Sequence, residues 1–353
     1  MQLIDISLKN FRNYTSQSVR PAPGLNVITG LNAQGKTNLL EAVFLCCTGR
    51  SHRTSKDIEM IKEGEDFSLV TCQSMRNDGT HNVEIRLSRN SRKEVMVNFT
   101  KASRLGELMG HITGVLFSPE DLFLIKQGPS ERRRFVDIAI SQIKPSYFYT
   151  LQQYNHALLS RNKLLRGSAR MLKALDVFDE QLSVTGHAIM QERHSFVEKL
   201  KGVALDAHLE MSDRKEQLAI SYSDIKSKEQ LYESLAEARE GDIRRGTTSI
   251  GPHRDDITIR INGKDSRAYA SQGQQRTAAL ALKLAQLRLM EQELGEPPIL
   301  MLDDVLSELD EFRQKMLFNA VGNLQILITC TDLPEFPFKH KVYRVSDGHV
   351  EEE

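Results

Sequence analysis

Residues 30–37 of this chain read Gly30-Leu31-Asn32-Ala33-Gln34-Gly35-Lys36-Thr37, a glycine-rich stretch that ends in lysine and threonine. The preceding residues 25–29 form a short apolar run typical of a buried strand, and apolar residues recur at helical spacing from 39 to 47. A loop of this kind, between a strand and the first turn of a helix, binds phosphate because its backbone N–H groups and the helix N-terminus attract an anion. The stretch therefore predicts an α/β protein that binds a nucleoside triphosphate.

The residue types in this loop suit different parts of a nucleotide. Gly30 and Gly35 let the backbone turn tightly and approach phosphate closely. Lys36 reaches the β and γ phosphate oxygens, and the Thr37 hydroxyl is a ligand for Mg²⁺. The predicted nucleotide-binding positions are Gly30, Leu31, Asn32, Ala33, Gln34, Gly35, Lys36 and Thr37.

The composition argues against a disulfide-rich, zinc-binding or membrane-spanning protein, but it does not indicate a binding partner. The 353 residues contain 47 Lys plus Arg and 47 Asp plus Glu, so the net charge is zero and any DNA-binding surface requires local charge segregation. The four cysteines show no CxxC spacing, which argues against a disulfide framework or a zinc site. No leader is recognised and no apolar run approaches the length of a membrane span, so we expect a soluble cytoplasmic protein without membrane contact.

Strand patterns dominate the first third of the chain. Ile4, Ile6 and Leu8 alternate with polar residues, as in a half-buried strand. Three further strands are predicted within 67–99, the first two joined by a hairpin at Asp78-Gly79. These segments predict a small antiparallel sheet beside the nucleotide site.

The middle of the chain favours helices. Residues 120–240 are rich in Leu, Ala, Glu, Gln, Lys and Arg, contain few β-branched residues, and repeat apolar positions at helical intervals. Heptads are not sustained for long, so packed helices are predicted rather than an extended coiled coil.

Strand and turn signals return after residue 241. A hairpin is predicted at Asn262-Gly263, followed by a helix from about 274 to 294 and apolar strands at 299–302 and 324–329. The predicted fold is therefore α/β, with a phosphate-loop core and an antiparallel β subdomain. We predict two domains: a head assembled from residues 1–117 and 245–353, and a helical insert formed by residues 118–244.

Two carboxylates follow the predicted strand at 299–302. The carboxyl ends of parallel strands share one sheet edge, so Asp303 and Asp304 are expected beside the phosphate loop. Asp303 is the predicted partner of Mg²⁺, directly or through water, together with Thr37. Asp304 is the candidate to polarise the attacking water, which gives a predicted catalytic set of Lys36, Asp303 and Asp304. An acidic pair alternatively marks only a strand-to-turn boundary, but the phosphate loop favours the functional interpretation.

A second anion site is predicted at Ser271-Gln272-Gly273-Gln274-Gln275-Arg276, just before the long helix. Ser271 supplies a hydroxyl near a helix start, and Gly273 lets the backbone approach a ligand. Taken alone, the segment is better explained as a helix cap. What favours a ligand site is the order of motifs, because the acidic strand and then Ser307-Glu308-Leu309-Asp310 follow it.

This order of motifs resembles the ATP-binding-cassette ATPases of the SMC and Rad50 type, and within them the bacterial recombination-repair branch. The resemblance covers the whole chain. Its further motifs are Asn10-Phe11-Arg12-Asn13-Tyr14, Gly49-Arg50-Ser51-His52-Arg53-Thr54, Phe117-Ser118-Pro119-Glu120-Asp121-Leu122, Arg132-Arg133-Arg134-Phe135 and Gly251-Pro252-His253-Arg254-Asp255-Asp256. Each motif alone is unspecific, but the ordered set is highly specific.

The resemblance implies a switch driven by ATP and Mg²⁺. It implies a homodimer that sandwiches two ATP molecules, the phosphate loop of one protomer facing Ser271, Gly273 and Gln274 of the other. Residues 307–310 would cross between the two sites. ATP then favours association, and slow hydrolysis releases it. The implied function is a DNA-dependent ATPase that binds gapped or junction DNA in recombinational repair and replication restart, with RecR and RecO as partners in loading RecA.

The chain departs from the pattern of cassette transporters at three places. Asp304 stands where transporters usually carry Glu, which favours slow turnover. Transporters also carry His after the last strand, where this chain offers Thr331 as the nearest substitute. The glutamine that links the γ-phosphate to the helical lobe has Gln127 as its one candidate.

Five arginines are candidates for contact with phosphate or DNA: Arg50, Arg53, Arg132, Arg133 and Arg134. Arg50 and Arg53 follow the first predicted helix, near where SMC-like heads carry an arginine that touches phosphate; alternatively they contact DNA or are solvated. The other three fall on different faces of a helix, so at most two reach a common phosphate, and solvated helix charge is the alternative. None is a base-reading motif, so DNA binding is expected to be independent of sequence and weakened by salt.

Two other functions stay open on the sequence alone. The first is a DNA-bridging structural ATPase like SMC or Rad50, although about 120 residues of helical insert are too few for a long antiparallel coiled-coil arm at 1.5 Å per residue. The second is a stand-alone ATPase that acts on protein partners. Transport is disfavoured, because no membrane span is predicted and a large insert splits the head.

Overall fold

The computed structural model describes residues 1–167, 174–322, 324–331, 333, 336 and 339–353, which form three sheets and ten α-helices. The strands are β1 (Gln2–Phe11), β2 (Tyr14–Val19), β3 (Leu25–Thr29), β4 (Phe67–Arg76), β5 (Gly79–Ser88), β6 (Glu94–Val97), β7 (Thr100–Lys101), β8 (Gly114–Phe117), β9 (Leu218–Tyr222), β10 (Ile257–Ile261), β11 (Lys264–Asp265), β12 (Ile299–Asp303), β13 (Ile326–Cys330), β14 (His340–Ser346) and β15 (His349–Glu352). The helices are α1 (Lys36–Thr48), α2 (Phe123–Lys126), α3 (Pro129–Ile143), α4 (Pro145–Leu165), α5 (Leu175–Met211), α6 (Lys228–Glu237), α7 (Arg239–Arg245), α8 (Ser266–Tyr269), α9 (Gln272–Leu294) and α10 (Glu311–Val321).

A six-stranded sheet forms the centre of the nucleotide-binding part. Its order is β15-β14-β3-β13-β12-β8; β15 runs antiparallel to β14, and the other neighbours are parallel. Every residue of β3, β12 and β13 is buried, which explains their continuous apolar sequences. Because these strands are parallel, their carboxyl ends meet at one sheet edge, and the loops that follow them assemble the site.

Helix α1 lies between the central sheet and the antiparallel sheet. Eleven of its 13 residues are buried, as expected for a helix that is apolar nearly all round. Its apolar side chains share one core with residues of β1, β4, β5 and β12. The helix ends at Gly49, whose φ of 68° gives the left-handed conformation common after a helix. The start of α1, and with it the phosphate loop, is therefore fixed between two sheets.

The predicted antiparallel sheet is present beside α1. Its order is β2-β1-β4-β5-β6-β7, and the predicted hairpin joins β4 and β5, with Arg76 paired to Gly79. One detail differs from the sequence pattern. A β-bulge between Leu3 and Asp5 places Leu3 in the core with Ile6, whereas Ile4 is half-buried.

The segment predicted to be helical contains α3 to α7 but also the strand β9, which the sequence analysis missed. Leu218, Ile220 and Tyr222 alternate inward along β9, and the strand pairs with β10. This pairing crosses the predicted boundary at 244/245, so the insert shares a three-stranded sheet with the last part of the chain. The division into 1–117 with 245–353 and 118–244 stays a prediction.

No helix in the described ranges is both long and apolar enough to cross a membrane.

Candidate nucleotide-binding site

The phosphate loop follows β3, and its backbone shape requires the two glycines. Gly30 has a φ of 145° and Gly35 a φ of 123°, values that other residues rarely adopt. A Cβ at Gly30 would lie 2.3 Å from the carbonyl oxygen of Val345, and a Cβ at Gly35 would lie 2.7 Å from Asn13 Nδ2. Both positions therefore exclude a side chain for reasons of space as well as conformation.

Two neighbouring turns hold the loop in place. Asn13 Nδ2 donates to the Gln34 carbonyl at 2.6 Å, and the Tyr14 hydroxyl donates to the Gly35 carbonyl at 3.0 Å. On the β14–β15 turn, the Asp347 N–H donates to Gln34 Oε1 at 2.6 Å. The motif after β1 therefore supports the shape of the phosphate loop, a role that its sequence did not reveal.

The side chain of Lys36 folds back over the loop. Its Nζ donates to the carbonyl oxygens of Gly30 at 2.5 Å and Leu31 at 3.0 Å. Burial lowers the pKa of Lys36, and the negative charges of Asp304 and Asp303 oppose that shift. The ammonium group therefore lies at the loop, within the field of Asp303, which ends β12, and of Asp304, which follows it.

Asp303 is the polar centre of the sheet edge. Its Oδ1 accepts hydrogen bonds from Thr37 Oγ1 at 2.9 Å and from Thr329 Oγ1 at 2.8 Å. The side chain is buried, which raises the pKa of Asp303, while the two hydroxyl groups act in the opposite direction. The structure thus brings together Thr37 and Asp303, the two residues predicted to hold the metal.

Thr329 is a residue of the site that the sequence analysis missed. It pairs with Asp303 in the parallel register of β12 and β13, so its hydroxyl reaches the carboxylate. Thr331, the predicted substitute for the transporter histidine, is exposed two residues beyond it. Alternation along the strand does not separate Thr329 from Thr331, because residues two apart face the same way; the register of β13 on β12 does.

Asp304 occupies the turn that leaves the sheet. Its φ of 51° is a left-handed conformation, which Asp tolerates better than most residues. Its N–H donates to Thr329 Oγ1 at 2.9 Å, and its carbonyl accepts from Ser307 Oγ at 2.7 Å. The carboxylate is exposed, so it is accessible to water as its predicted role requires.

The end of β8 adjoins the same edge. Phe117 pairs with Leu302 on β12, and the exposed Glu120 lies just beyond. Besides burial, the charge of Glu120 raises the pKa of Asp303. Gln127 follows α2, is exposed, and accepts from Arg132 Nη1 through its carbonyl at 3.0 Å. Glu120 is therefore a neighbour of the site, and the role of Gln127 stays a prediction.

Ser271 caps α9. Its Oγ accepts from the Gln274 N–H at 3.2 Å, and its own N–H donates to Gln274 Oε1 at 2.8 Å, a reciprocal capping box. Gln274 Nε2 also donates to Glu216 at 2.8 Å. Ser271 and Gly273 are exposed, whereas the helix is mostly buried from Gln275 onward. The segment is a helix cap in the structure, and it also presents an exposed helix N-terminus.

The exposed start of α9 adjoins residues 307–310. Arg276 Nη2 lies 2.5 Å from Glu308 Oε2, and Arg313 Nε donates to Thr277 Oγ1 at 2.9 Å. Residues 271–276 and 307–310 therefore form one surface, here called the signature surface. Within the described ranges, no hydrogen bond or ion pair joins the signature surface to the phosphate loop of the same chain.

The segment after α1 is anchored to a buried carboxylate. Glu41 accepts from Arg12 Nε at 2.8 Å and Nη2 at 2.6 Å, Ser51 also donates to it, and Arg53 lies 3.6 Å away. Burial alone would raise the pKa of Glu41, but the hydrogen bonds from Arg12 and Ser51 hold it below its usual value. Arg53 is thereby tied to the helix that carries the phosphate loop.

Arg132 and Arg133 serve the structure of the protein. Arg132 is buried and forms a bidentate pair with Asp256, with Nε–Oδ1 and Nη2–Oδ2 distances of 2.8 and 2.9 Å. Arg133 Nη1 donates to the Asp255 carbonyl at 2.6 Å. Both arginines join α3 to the turn before β10. Contact between Arg132 and a phosphate would require this bidentate pair, in which the arginine is buried, to break.

Arg50 and Arg134 are presented at the surface. Both are exposed, and Arg134 donates to the His52 carbonyl at 3.2 Å. Together with Arg53 and Lys93 they line a cleft of about 550 Å³ next to the segment that follows α1. Arg133 is half-buried and lines a neighbouring pocket with Arg50 and Arg134, so of the five predicted arginines Arg132 is the one whose guanidinium group is both buried and paired with a carboxylate.

The residues at this edge fit a magnesium nucleotide. The two glycines let the loop pack against Val345 and Asn13, which keeps its backbone in the shape of a phosphate loop. The Thr37 hydroxyl and the Asp303 carboxylate are oxygen ligands of the type that Mg²⁺ prefers. Four features define the class of this protein as an ABC-type ATPase head. They are the phosphate loop after β3, the acidic pair at the end of β12, the sheet packed on α1 and the capped helix α9.

The family described as RecF/RecN/SMC N terminal domain matches residues 2–351. The chain is 43% identical to the DNA replication and repair protein RecF of Lachnoclostridium phytofermentans, over 98% of both chains. It is also 43% identical to the RecF protein of Acetivibrio thermocellus, over 94% of both chains. The chain therefore belongs to the RecF family.

Solved structures agree with this assignment. One described as the recombination mediator protein RecF with ATP in the RecFOR pathway has a TM-score of 0.92 and 40% identity, covering 100% of this chain and 97% of that chain. The Smc head domain of Pyrococcus furiosus has a TM-score of 0.57 and 14% identity, covering 100% and 96%, and shares the fold alone. The predicted ABC-type α/β head is confirmed.

Proposed function

We propose that this chain is an ATP-dependent DNA-binding switch of recombinational repair and replication restart. ATP closes two copies into a dimer that holds gapped or junction DNA, and slow DNA-dependent hydrolysis reopens it. RecR and RecO are its partners, and together they assist the loading of RecA. Support comes from the RecF family membership and from the relative whose structure with ATP is placed in the RecFOR pathway.

One observation carries the proposal: the signature surface and the phosphate loop are both exposed, yet they do not meet within one chain. Leu31 is 76% exposed in the loop, and Ser271 and Gly273 are exposed at the start of α9. A helix N-terminus favours an anion, and the predicted anion lies at the loop. A second copy of the chain can bring the two together, which makes each nucleotide a bridge between protomers.

The residues of the site have different roles in this switch. Lys36 and the N–H groups of the loop hold the triphosphate, and Thr37 and Asp303 hold Mg²⁺. When bound, Mg²⁺ neutralises charge on the phosphate oxygens. Asp304 orients the water, and Ser271 of the second copy completes the phosphate contacts. Thr329 is a positioning residue that acts through Asp303.

The described part of the chain contains no long arm of the kind that a DNA-bridging ATPase requires. The longest helix, α5, has 37 residues, which at 1.5 Å per residue span roughly 55 Å. It packs against α4, α9 and β9 along the body of the protein. The described part of the helical insert therefore supports the switch and not a long bridging arm.

The proposal is tested by fluorescence anisotropy on gapped DNA over a salt series, with and without a non-hydrolysable ATP analogue. We expect nucleotide to raise the affinity and salt to lower it, because phosphate contacts release counterions. Lys36→Ala should lose the nucleotide effect and keep the weak nucleotide-free binding. If the affinity for DNA is independent of both nucleotide and salt, the protein is better explained as a stand-alone ATPase that acts on protein partners.

A further inference from the structure

Residues 89–104, here called the basic hairpin, comprise β6, β7 and their flanks. They contain the cations Arg89, Arg92, Lys93, Lys101 and Arg104 against a single carboxylate, Glu94. The chain as a whole has no net charge, so the basic hairpin is a local segregation of positive charge. The nucleotide site uses none of these residues.

The cations of the basic hairpin differ in how closely carboxylates of the described residues approach them. Lys93 lies 3.1 Å from Asp57, and Lys101 lies 2.5 Å from Glu94. Arg92 and Arg104 are exposed, and neither forms an ion pair with any residue in the described ranges. Two guanidinium groups are thus available to anions from outside the protein.

The tip of the basic hairpin carries an exposed aromatic ring. Phe99 is 76% exposed, so its side chain contributes little to the core. Asn98 and Phe99 have φ values of 48° and 64°, so the turn needs two left-handed residues, for which Asn-Gly is the favoured sequence. A bulky residue at positive φ is strained. Such strain at an exposed position points to a function for Phe99.

The charges and the ring lie along one element. The register of β7 on β6 pairs Val97 with Thr100, so Phe99 lies in the turn at the tip. Arg92 precedes β6 and Arg104 follows β7, at the other end of the hairpin. At the base, Lys93 lines the cleft that also contains Arg50. Positive charge is therefore concentrated at the base of the basic hairpin, beside the cleft next to the segment that follows α1, and the ring lies at the other end.

We propose that the basic hairpin recognises the junction between double- and single-stranded DNA. Arg92 and Arg104 contact phosphates, and the ring of Phe99 stacks on the exposed face of the last base at the junction. This inference rests on the proposed function and assigns the surface that reads DNA structure. Base faces are covered within a continuous duplex but accessible at a gap or an end, so stacking distinguishes these structures without reading sequence.

The test compares the affinity of full-length variants, with a non-hydrolysable ATP analogue, for a circular duplex that carries one gap and for the same relaxed circle without the gap, which has no ends. Phe99→Ala should weaken binding to gapped DNA about ten-fold, since stacking on one base has that order of effect, and leave duplex binding unchanged. Phe99→Trp should retain the preference. The matched control is Leu159→Ala, which removes an equally exposed apolar side chain on α4.

Two further variants separate the roles of ring, turn and charge. Phe99→Gly should raise the melting temperature by relieving the strained turn and still lose the preference for gapped DNA. Arg92→Ala combined with Arg104→Ala should weaken gapped and duplex DNA alike and reduce the salt dependence by about two ions.

The outcomes are distinguishable. If the wild-type protein with nucleotide fails to bind gapped DNA, both the proposed function and the role of the basic hairpin are wrong. If it binds and Phe99→Ala binds equally well, the hairpin assignment alone is overturned. Loss of binding to purified RecR by Phe99→Ala, with DNA affinity unchanged, would make the hairpin a protein-docking surface and would also overturn the assignment.

Discussion

Thr329 Oγ1 lies 2.8 Å from Asp303 Oδ1, at the point where two neighbouring parallel strands end. The same hydroxyl accepts the N–H of Asp304 at 2.9 Å. One side chain on β13 therefore positions both the carboxylate predicted to hold Mg²⁺ and the turn that carries the second acid. Partners of this kind orient a metal ligand and are expected to affect activity even though they touch neither metal nor nucleotide.

Replacing Thr329 should impair catalysis more than folding. Thr329→Val keeps the shape but removes the hydroxyl, so ATP hydrolysis should fall roughly 10-fold or more. Stability should fall by about 1–2 kcal/mol, because the Asp304 N–H loses its partner. Thr331→Val is the matched control, since that side chain is exposed. Equal hydrolysis by Thr329→Val and the wild-type protein would exclude the positioning role.

Asp303→Asn should separate metal binding from stability. The amide oxygen can still accept from Thr37 and Thr329, and burial already disfavours a charge at this position, as the raised pKa of Asp303 indicates. We expect hydrolysis to fall by about 100-fold and the melting temperature to change little. Steady-state phosphate release and thermal unfolding provide the two measurements. Wild-type turnover in this variant would rule out Asp303 as a metal ligand.

The pair of Arg12 and Glu41 should be essential for stability. Glu41 is fully buried, so removing its bidentate partner leaves the charge with only the Ser51 hydroxyl and the more distant Arg53 to compensate it. Arg12→Met should lower the free energy of unfolding by about 3–5 kcal/mol in urea titrations. Arg12→Met combined with Glu41→Gln should recover part of this loss. A double variant no more stable than Arg12→Met would show that the charge is not the cause.

His253 should make stability depend on pH. Its Nε2 donates to the Thr248 carbonyl at 3.0 Å, and its Nδ1 lies 2.6 Å from the Tyr154 hydroxyl, which donates to it when the ring is neutral. Burial is the main cause that lowers the pKa of His253 from 6.5 to about 4.

A lowered histidine pKa means that the unfolded chain takes up the proton first. The stabilisation is therefore complete above pH 6.5 and is lost as the pH falls towards 4. The loss amounts to about 3 kcal/mol at 1.36 kcal/mol per pH unit. His253→Gln should remove this part of the pH dependence in urea unfolding measured between those limits. An unchanged slope would show that other groups cause it.

The sequence predicted those parts of the fold and site that depend on neighbouring residues. The phosphate loop, the capped helix after Ser271 and the strand before Asp303 are continuous segments whose residue types determine their local structure. The hairpins at Asp78-Gly79 and Asn262-Gly263 were predictable for the same reason.

Contacts between distant segments were not predictable in this way. The strand β9 acquires its structure by pairing with β10, more than 30 residues away in the chain. Arg132 resembles its neighbours Arg133 and Arg134 in sequence, and only the position of Asp256 in the fold shows that it is a buried structural residue. Thr329 and Thr331 are likewise distinguished by the register of β13 on β12.

Sedimentation velocity of Ser271→Arg with a saturating non-hydrolysable ATP analogue and Mg²⁺ decides whether two copies of the chain share each nucleotide site. Ser227→Arg is the matched control, because Ser227 caps α6 with the same Ser-x-x-Gln capping box. We predict that the wild-type protein and Ser227→Arg sediment as dimers, whereas Ser271→Arg binds nucleotide and sediments as a monomer. A nucleotide-dependent dimer of Ser271→Arg, or a wild-type protein that stays monomeric, would contradict the shared site.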